Sequence, residues 1–188
     1  MDINTKFKYW LTVAQAAHFK LERYERPAFI GDKATPSTFN WLTIGQLIEL
    51  SELGDEDESI YRIVEITMQI QRKDIDEERA VDVVRYVGWA FGEVERINKL
   101  FKSFESKPTA KEKRAGVDTL EFGLFGMLDW YALRMGIEDH DEVLKVPWLR
   151  IYKCMDMDKK RQEYEKKLQQ IAAEEMRNET RRRQEWKR

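Results

Sequence analysis

Apolar residues recur at three- and four-residue spacings along most of this chain, the period of an α-helix that buries one stripe. In the first segment Trp10, Leu11, Val13, Ala14, Ala17 and Leu21 keep that spacing, which predicts a helix to about Arg23, capped by Asn4 or Thr5. Pro27, Gly31 and Pro36 then mark a loop, or a short extended stretch around Ala28-Phe29-Ile30. In "NWLTIGQLIELSELGDEDES" Thr43 suits an N-cap, Ile44, Leu47, Ile48 and Leu50 form a face, and Gly54 suits the C′ stop. Gly45 sits early in that helix at a cost of about 0.5–1 kcal/mol relative to alanine. A close neighbour, the Trp41 ring or another helix, would account for it. The acids Asp55, Asp57 and Glu58 complement the dipole of a following helix that carries Ile60, Ile63, Val64, Ile66, Thr67 and Ile70. Its β-branched content makes a strand the competing reading, and its length favours a helix.

A long helix is predicted over residues 77–104, capped by Asp74 or Asp76, with the pattern continuing through Gly88 and Gly92. Pro108-Thr109 opens a fourth long segment over residues 110–135, ended by Gly136. A short helix capped by Asp139, a turn at Pro147 and a new helix from Trp148 follow, the last with Leu149, Ile151, Tyr152, Met155, Tyr164, Leu168 and Ile171 in phase. Beyond Ile171 only Met176 and Trp186 are large and apolar, so the end reads as a solvated helix or a disordered tail. No hairpin signal stands out. The expectation is an all-α, single-domain helical bundle of about five to six helices (residues 1–171), with a protruding charged C-terminal helix or tail (residues 172–188).

Composition agrees with exposed helices. Charged residues make up 36% of the 188, and there are only 4 Pro and 9 Gly. The average charged share is about 25%. The net charge of −2 is unevenly spread: residues 159–188 hold 11 Lys or Arg against 6 Glu, which leaves the preceding part acidic. A basic tail on an acidic body is an interaction signature. The N-terminus lacks the form of a secretory signal, and no run approaches the length of a membrane span.

Candidate chemistry is sparse. The single cysteine, Cys154, rules out an intramolecular disulfide and reads as core filler; this fits a reducing compartment. Only His18 and His140 could serve a Ser–His or Cys–His pair. His140 lies among Glu138, Asp139, Asp141 and Glu142, but the spacing fits no EF-hand, and capping by Asp139 explains the acids. Gly116, Gly123 and Gly126 lack the Lys-Ser/Thr of a phosphate loop and read as small residues at a helix contact. The expectation is a non-enzyme with no metal and no cofactor. Of six tryptophans, Trp10, Trp41, Trp89, Trp130 and Trp148 fall in apolar patterns and are expected in the core. Trp186 stands among Arg181, Arg182, Arg183, Lys187 and Arg188. That end could be a solubilising tail, a contact for an acidic protein surface, or a nucleic-acid contact.

Two regions, "LTIGQLIELSEL" and "FGLFGMLDWYALRMGIEDHDEVLKVPWLRIYKCMDMDKKRQEYEKKL", resemble tail assembly chaperones of tailed bacteriophages. The resemblance covers about half of the chain, residues 40–70 and 120–170. It implies a helical, non-catalytic protein that binds a tape measure protein and recruits tail-tube subunits in the host cytoplasm, masking a client helix in an apolar groove. Expected contacts are exposed apolar residues at the bundle surface, with Trp148, Ile151, Tyr152, Met155 and Tyr164 as candidates. Arg181, Arg182, Arg183 and Trp186 are a secondary contact. A virion component (connector, baseplate or internal protein), a small nucleic-acid-binding module and homo-oligomerisation remain open; no membrane is expected.

Overall fold

The computed structural model describes residues 5–16, 24–54, 56–104, 108–120 and 122–186. They fold into nine α-helices, one 3-10 turn and one small hairpin. The chain is thus essentially all-α. It divides into two compact units, Met1–Ile151 and Tyr152–Arg188.

The first unit is organised around α5 (Ala80–Lys102), whose Val83, Val84, Tyr86, Val87, Ala90, Val94 and Ile97 are buried. Helices α1 (Phe7–Ala16), α2 (Ile44–Glu52) and α3 (Asp57–Met68) pack on it, as does strand β1 (Phe29–Ile30). So wide a buried arc requires apolar residues beyond a single stripe, and α5 has them. The β-branched run of α3 is helical. Its Ile60, Ile63, Val64 and Ile66 face the core, each such burial contributing about 1.5–3 kcal/mol. A buried hydrogen bond from Tyr86 Oη to Thr67 Oγ1 (2.7 Å) fixes α3 against α5.

The starts of four helices are satisfied in pairs by backbone. The first N–H groups of a helix have no intrahelical acceptor. Phe7 N donates to Glu78 O (2.8 Å) while Ala80 N donates to Thr5 O (2.9 Å), so α1 and α5 begin side by side. Ile44 N donates to Val146 O (2.7 Å) while Trp148 N donates to Leu42 O (3.0 Å), which joins the starts of α2 and α9 (Trp148–Glu185). This is why α5 needs no side-chain cap: its N-cap is Arg79, and the predicted caps Asp74 and Asp76 lie in and just after the short α4 (Arg72–Ile75). The turn after α4 makes the helix begin three residues later than predicted, and it ends two residues early, at Lys102.

Thr43 does cap α2, through a full capping box with Gln46. Gly54 does take the C′ position, directly after the C-cap Leu53, but not the left-handed conformation of a glycine stop. The helix ends where Leu53 turns extended (φ −66, ψ 130). Gly45 has the close neighbour its position called for. A Cβ there would lie 3.0 Å from Leu144 O and 3.2 Å from Leu144 Cβ, in helix α8 (His140–Leu144). The neighbour is a helix and not the Trp41 ring.

Three further expectations are corrected. The predicted helix over residues 110–135 is broken into α6 (Ala110–Arg114), a 3-10 turn (Val117–Thr119) and α7 (Gly123–Met135). Gly116 takes φ +84, which ends the first piece. A two-residue-strand hairpin exists: Phe29–Ile30 pairs antiparallel with β2 (Lys33–Ala34) around Gly31-Asp32. Of the five tryptophans assigned to the core, Trp148 alone is fully buried; Trp10, Trp89 and Trp130 are half-buried and Trp41 is exposed. Residues 17–23, with Ala17, His18 and Leu21, lie outside the described residues, as do Asn4, Asp55, Lys187 and Arg188.

The second unit is by itself one helix, the continuation of α9 to Glu185. Residues 172–185 are helical in full, and no described side chain beyond Ile151 is buried.

Candidate functional site

The most exposed apolar stretch of the first unit surrounds the start of α7. Leu120, Phe122, Leu124 and Phe125 are all exposed, from 42% at Leu124 to 66% at Phe122. Local geometry explains why they cannot turn inward together. Phe122 is the N-cap in αR conformation, and Gly123 follows at φ +51. Consecutive residues therefore point in several directions, and α7 buries only Leu128, Tyr131 and Ala132. Gly126 lets Phe122 lie over the first turn, since a Cβ there would come 2.5 Å from Phe122 Cβ. Phe125 packs against the His140 ring at 4.9 Å. His140 Nε2 in turn lies 3.3 Å from Asp129 Oδ1. Isolated exposed apolar side chains are ordinary; four within six residues, two of them aromatic, make this stretch the candidate contact region.

The candidates in α9 separate into three groups. Trp148 and Ile151 are core residues, 1% and 0% exposed, which agrees with the core reading of Trp148 and corrects the use of both as surface contacts. Trp148 Nε1 donates to Phe39 O (2.7 Å), and its ring meets Phe101 edge-on at 6.0 Å. The backbone pairing of Trp148 with Leu42 draws this first turn into the unit. Tyr152 and Met155 are half-buried, and Tyr164 is exposed. Arg181 and Arg183 are engaged within the helix by Glu185 (3.3 Å) and Glu179 (2.7 Å), and Trp186 is almost wholly exposed. Tyr164 and Trp186 are 22 residues apart, about 33 Å at helical rise, so these candidates do not converge.

Groups with reactive potential are scattered. Cys154 is half-buried. Asp139 caps α8 by accepting from Asp141 N (2.9 Å), and among the described residues no group of three or more His, Cys, Asp or Glu is placed to hold a metal. A cleft of about 340 Å³ lies between the hairpin and the start of α5, lined by Phe29, Gly31, Glu78, Arg79, Asp82 and Arg85. Burial, then Asp32, Asp82 and Asp74, push the Glu78 carboxyl above its ordinary value. Arg79 is paired with Asp82 (3.4 Å) and Arg85 with Glu25 (4.0 Å), so the cleft has no surplus of positive charge for an anion.

Sequence reasoning missed the surface at residues 120–125, having read its glycines as a helix contact. The available signal was "LEFGLF": large apolar residues too closely spaced to share one helical face. Comparison with protein-family models, curated proteins and solved structures gives no match.

Proposed function

We propose that this protein is a non-enzymatic assembly protein, a tail assembly chaperone that holds an amphipathic helix of a larger client against residues 120–125. The observation that carries the reading is the exposure of Leu120, Phe122, Leu124 and Phe125 together on a helical scaffold. An amphipathic helix presents anchors at i, i+3, i+4 and i+7, and a short aromatic-rich surface is suited to receive them. The resemblance over residues 40–70 and 120–170 supports a tape measure protein or tail-tube subunit as the client, met in the host cytoplasm.

The test is co-expression with the tape measure protein of the same phage. The client should become soluble and co-purify. A Phe122→Asp/Phe125→Asp variant should lose it while keeping its helical circular dichroism and melting temperature. A client that stays insoluble, or one still held by the double variant, contradicts the proposal. Abundant peptides of this chain in purified virions would instead favour a structural virion component.

A further inference from the structure

The second unit leaves a line of apolar side chains in solvent. Met157, Tyr164, Leu168 and Ile171 are 56%, 63%, 47% and 44% exposed. They stand at i, i+7, i+11 and i+14, the spacing of one helix face. Two charges of opposite sign stand on or beside this line at the ends of its apolar run: Arg161 before Tyr164 and Glu175 after Ile171. Glu175 is 18 residues after Met157, five full turns, and so continues the line; Arg161 borders it one turn after Met157. Lys160 is paired within the helix to Asp156 (2.7 Å). Arg161, Glu174 and Glu175 form no ion pair among the described residues.

We propose that this helix pairs antiparallel with the same helix of a second copy, about a two-fold axis at Leu168. A parallel, in-register pair would set Arg161 against Arg161, Glu175 against Glu175 and Arg182 against Arg182, each a like-charge contact. The antiparallel pair centred on Leu168 brings Arg161 of each copy level with Glu175 of the other, and symmetry makes the contact twice. Tyr164, Leu168 and Ile171 fill the seam between these charge pairs. The pattern is self-complementary: a partner of one charge would meet repulsion at one end of the line. This pairing is independent of the client surface at residues 120–125.

Sedimentation velocity of the full chain at micromolar concentration and moderate salt tests the proposal. The chain should sediment as a dimer, and Leu168→Glu should give a monomer with unchanged helical circular dichroism. Arg161→Glu should weaken the dimer about tenfold. The Arg161→Glu/Glu175→Arg exchange should restore it. Phe122→Asp/Phe125→Asp should leave it intact. A monomeric wild-type chain, or a dimer indifferent to Leu168→Glu, overturns the pairing. A dimer indifferent to Arg161→Glu, or an exchange that fails to restore it, overturns the antiparallel register.

Discussion

Replacing Gly45 by alanine sets two effects against each other, and the structure decides between them. The methyl group removes a helical glycine, which stabilises a helix by about 0.5–1 kcal/mol. It also enters a space where Leu144 O lies 3.0 Å away and Leu144 Cβ 3.2 Å away. The oxygen belongs to backbone that cannot easily retreat. Just beyond it the chain is held to α2 by Ile44 N donating to Val146 O (2.7 Å) and Trp148 N donating to Leu42 O (3.0 Å). Forcing a methylene into well-packed surroundings costs about 1–3 kcal/mol. The net expectation is a loss of about 0.5–2 kcal/mol, the difference between the two ranges taken at their lower and at their upper ends. Gly54→Ala is the internal control: nothing lies within 4 Å of its added Cβ, and its φ is not positive. That change should be neutral or stabilise by up to about 1 kcal/mol through the unfolded state. Urea unfolding followed by circular dichroism, with unchanged m, measures both. If Gly45→Ala stabilises as much as Gly54→Ala does, the close approach of α2 and α8 is wrong.

Trp148→Phe should cost about 2–4 kcal/mol, from lost packing and from a buried Phe39 carbonyl left without its donor; the urea midpoint reads it. Glu77 is held down to about 2 by hydrogen bonds from Lys6 and then Lys8, which tie the start of α1 to the turn before α5. A lowered folded pKa means stability present above the ordinary value of 4.5 and lost as pH falls towards 2. The melting-temperature gap between wild type and Glu77→Gln should therefore close over that window; a gap that persists at its acid end would refute the assignment. Glu78, raised by burial and nearby acids, has the opposite sign: its stabilising contribution is present at low pH and lost as pH rises through the raised value. The paired variants, not the wild-type acid curve, therefore isolate Glu77.

Helices were legible wherever a single stripe and a side-chain cap sufficed. Thr43, Thr109, Asp139 and Gly136 mark the ends they were expected to mark. Gly45 even announced a neighbour before one was visible. What stayed hidden depends on contacts between distant segments. The start of α5 is capped by backbone from Thr5, which no local motif encodes. Trp148 reads both as core, from its apolar phase, and as a surface contact, from the aromatic and methionine residues that follow it; the pairing of residues 42–44 with residues 146–148 carries it inward. The break between α6 and α7 was missed because residues 110–135 read as one segment although their first half carries no apolar stripe, while Gly116 and Gly123 adopt positive φ. That same break exposes Leu120, Phe122, Leu124 and Phe125, so the missed element and the missed site have one cause.

Calorimetric titration of the chain with a helical peptide from the tape measure protein tests the central claim most directly. Binding with a negative heat-capacity change is expected, as apolar surface leaves water. It should be lost in Phe122→Asp/Phe125→Asp and kept in Leu168→Glu. Binding that survives the first variant, or disappears with the second, would place the client elsewhere and contradict the account.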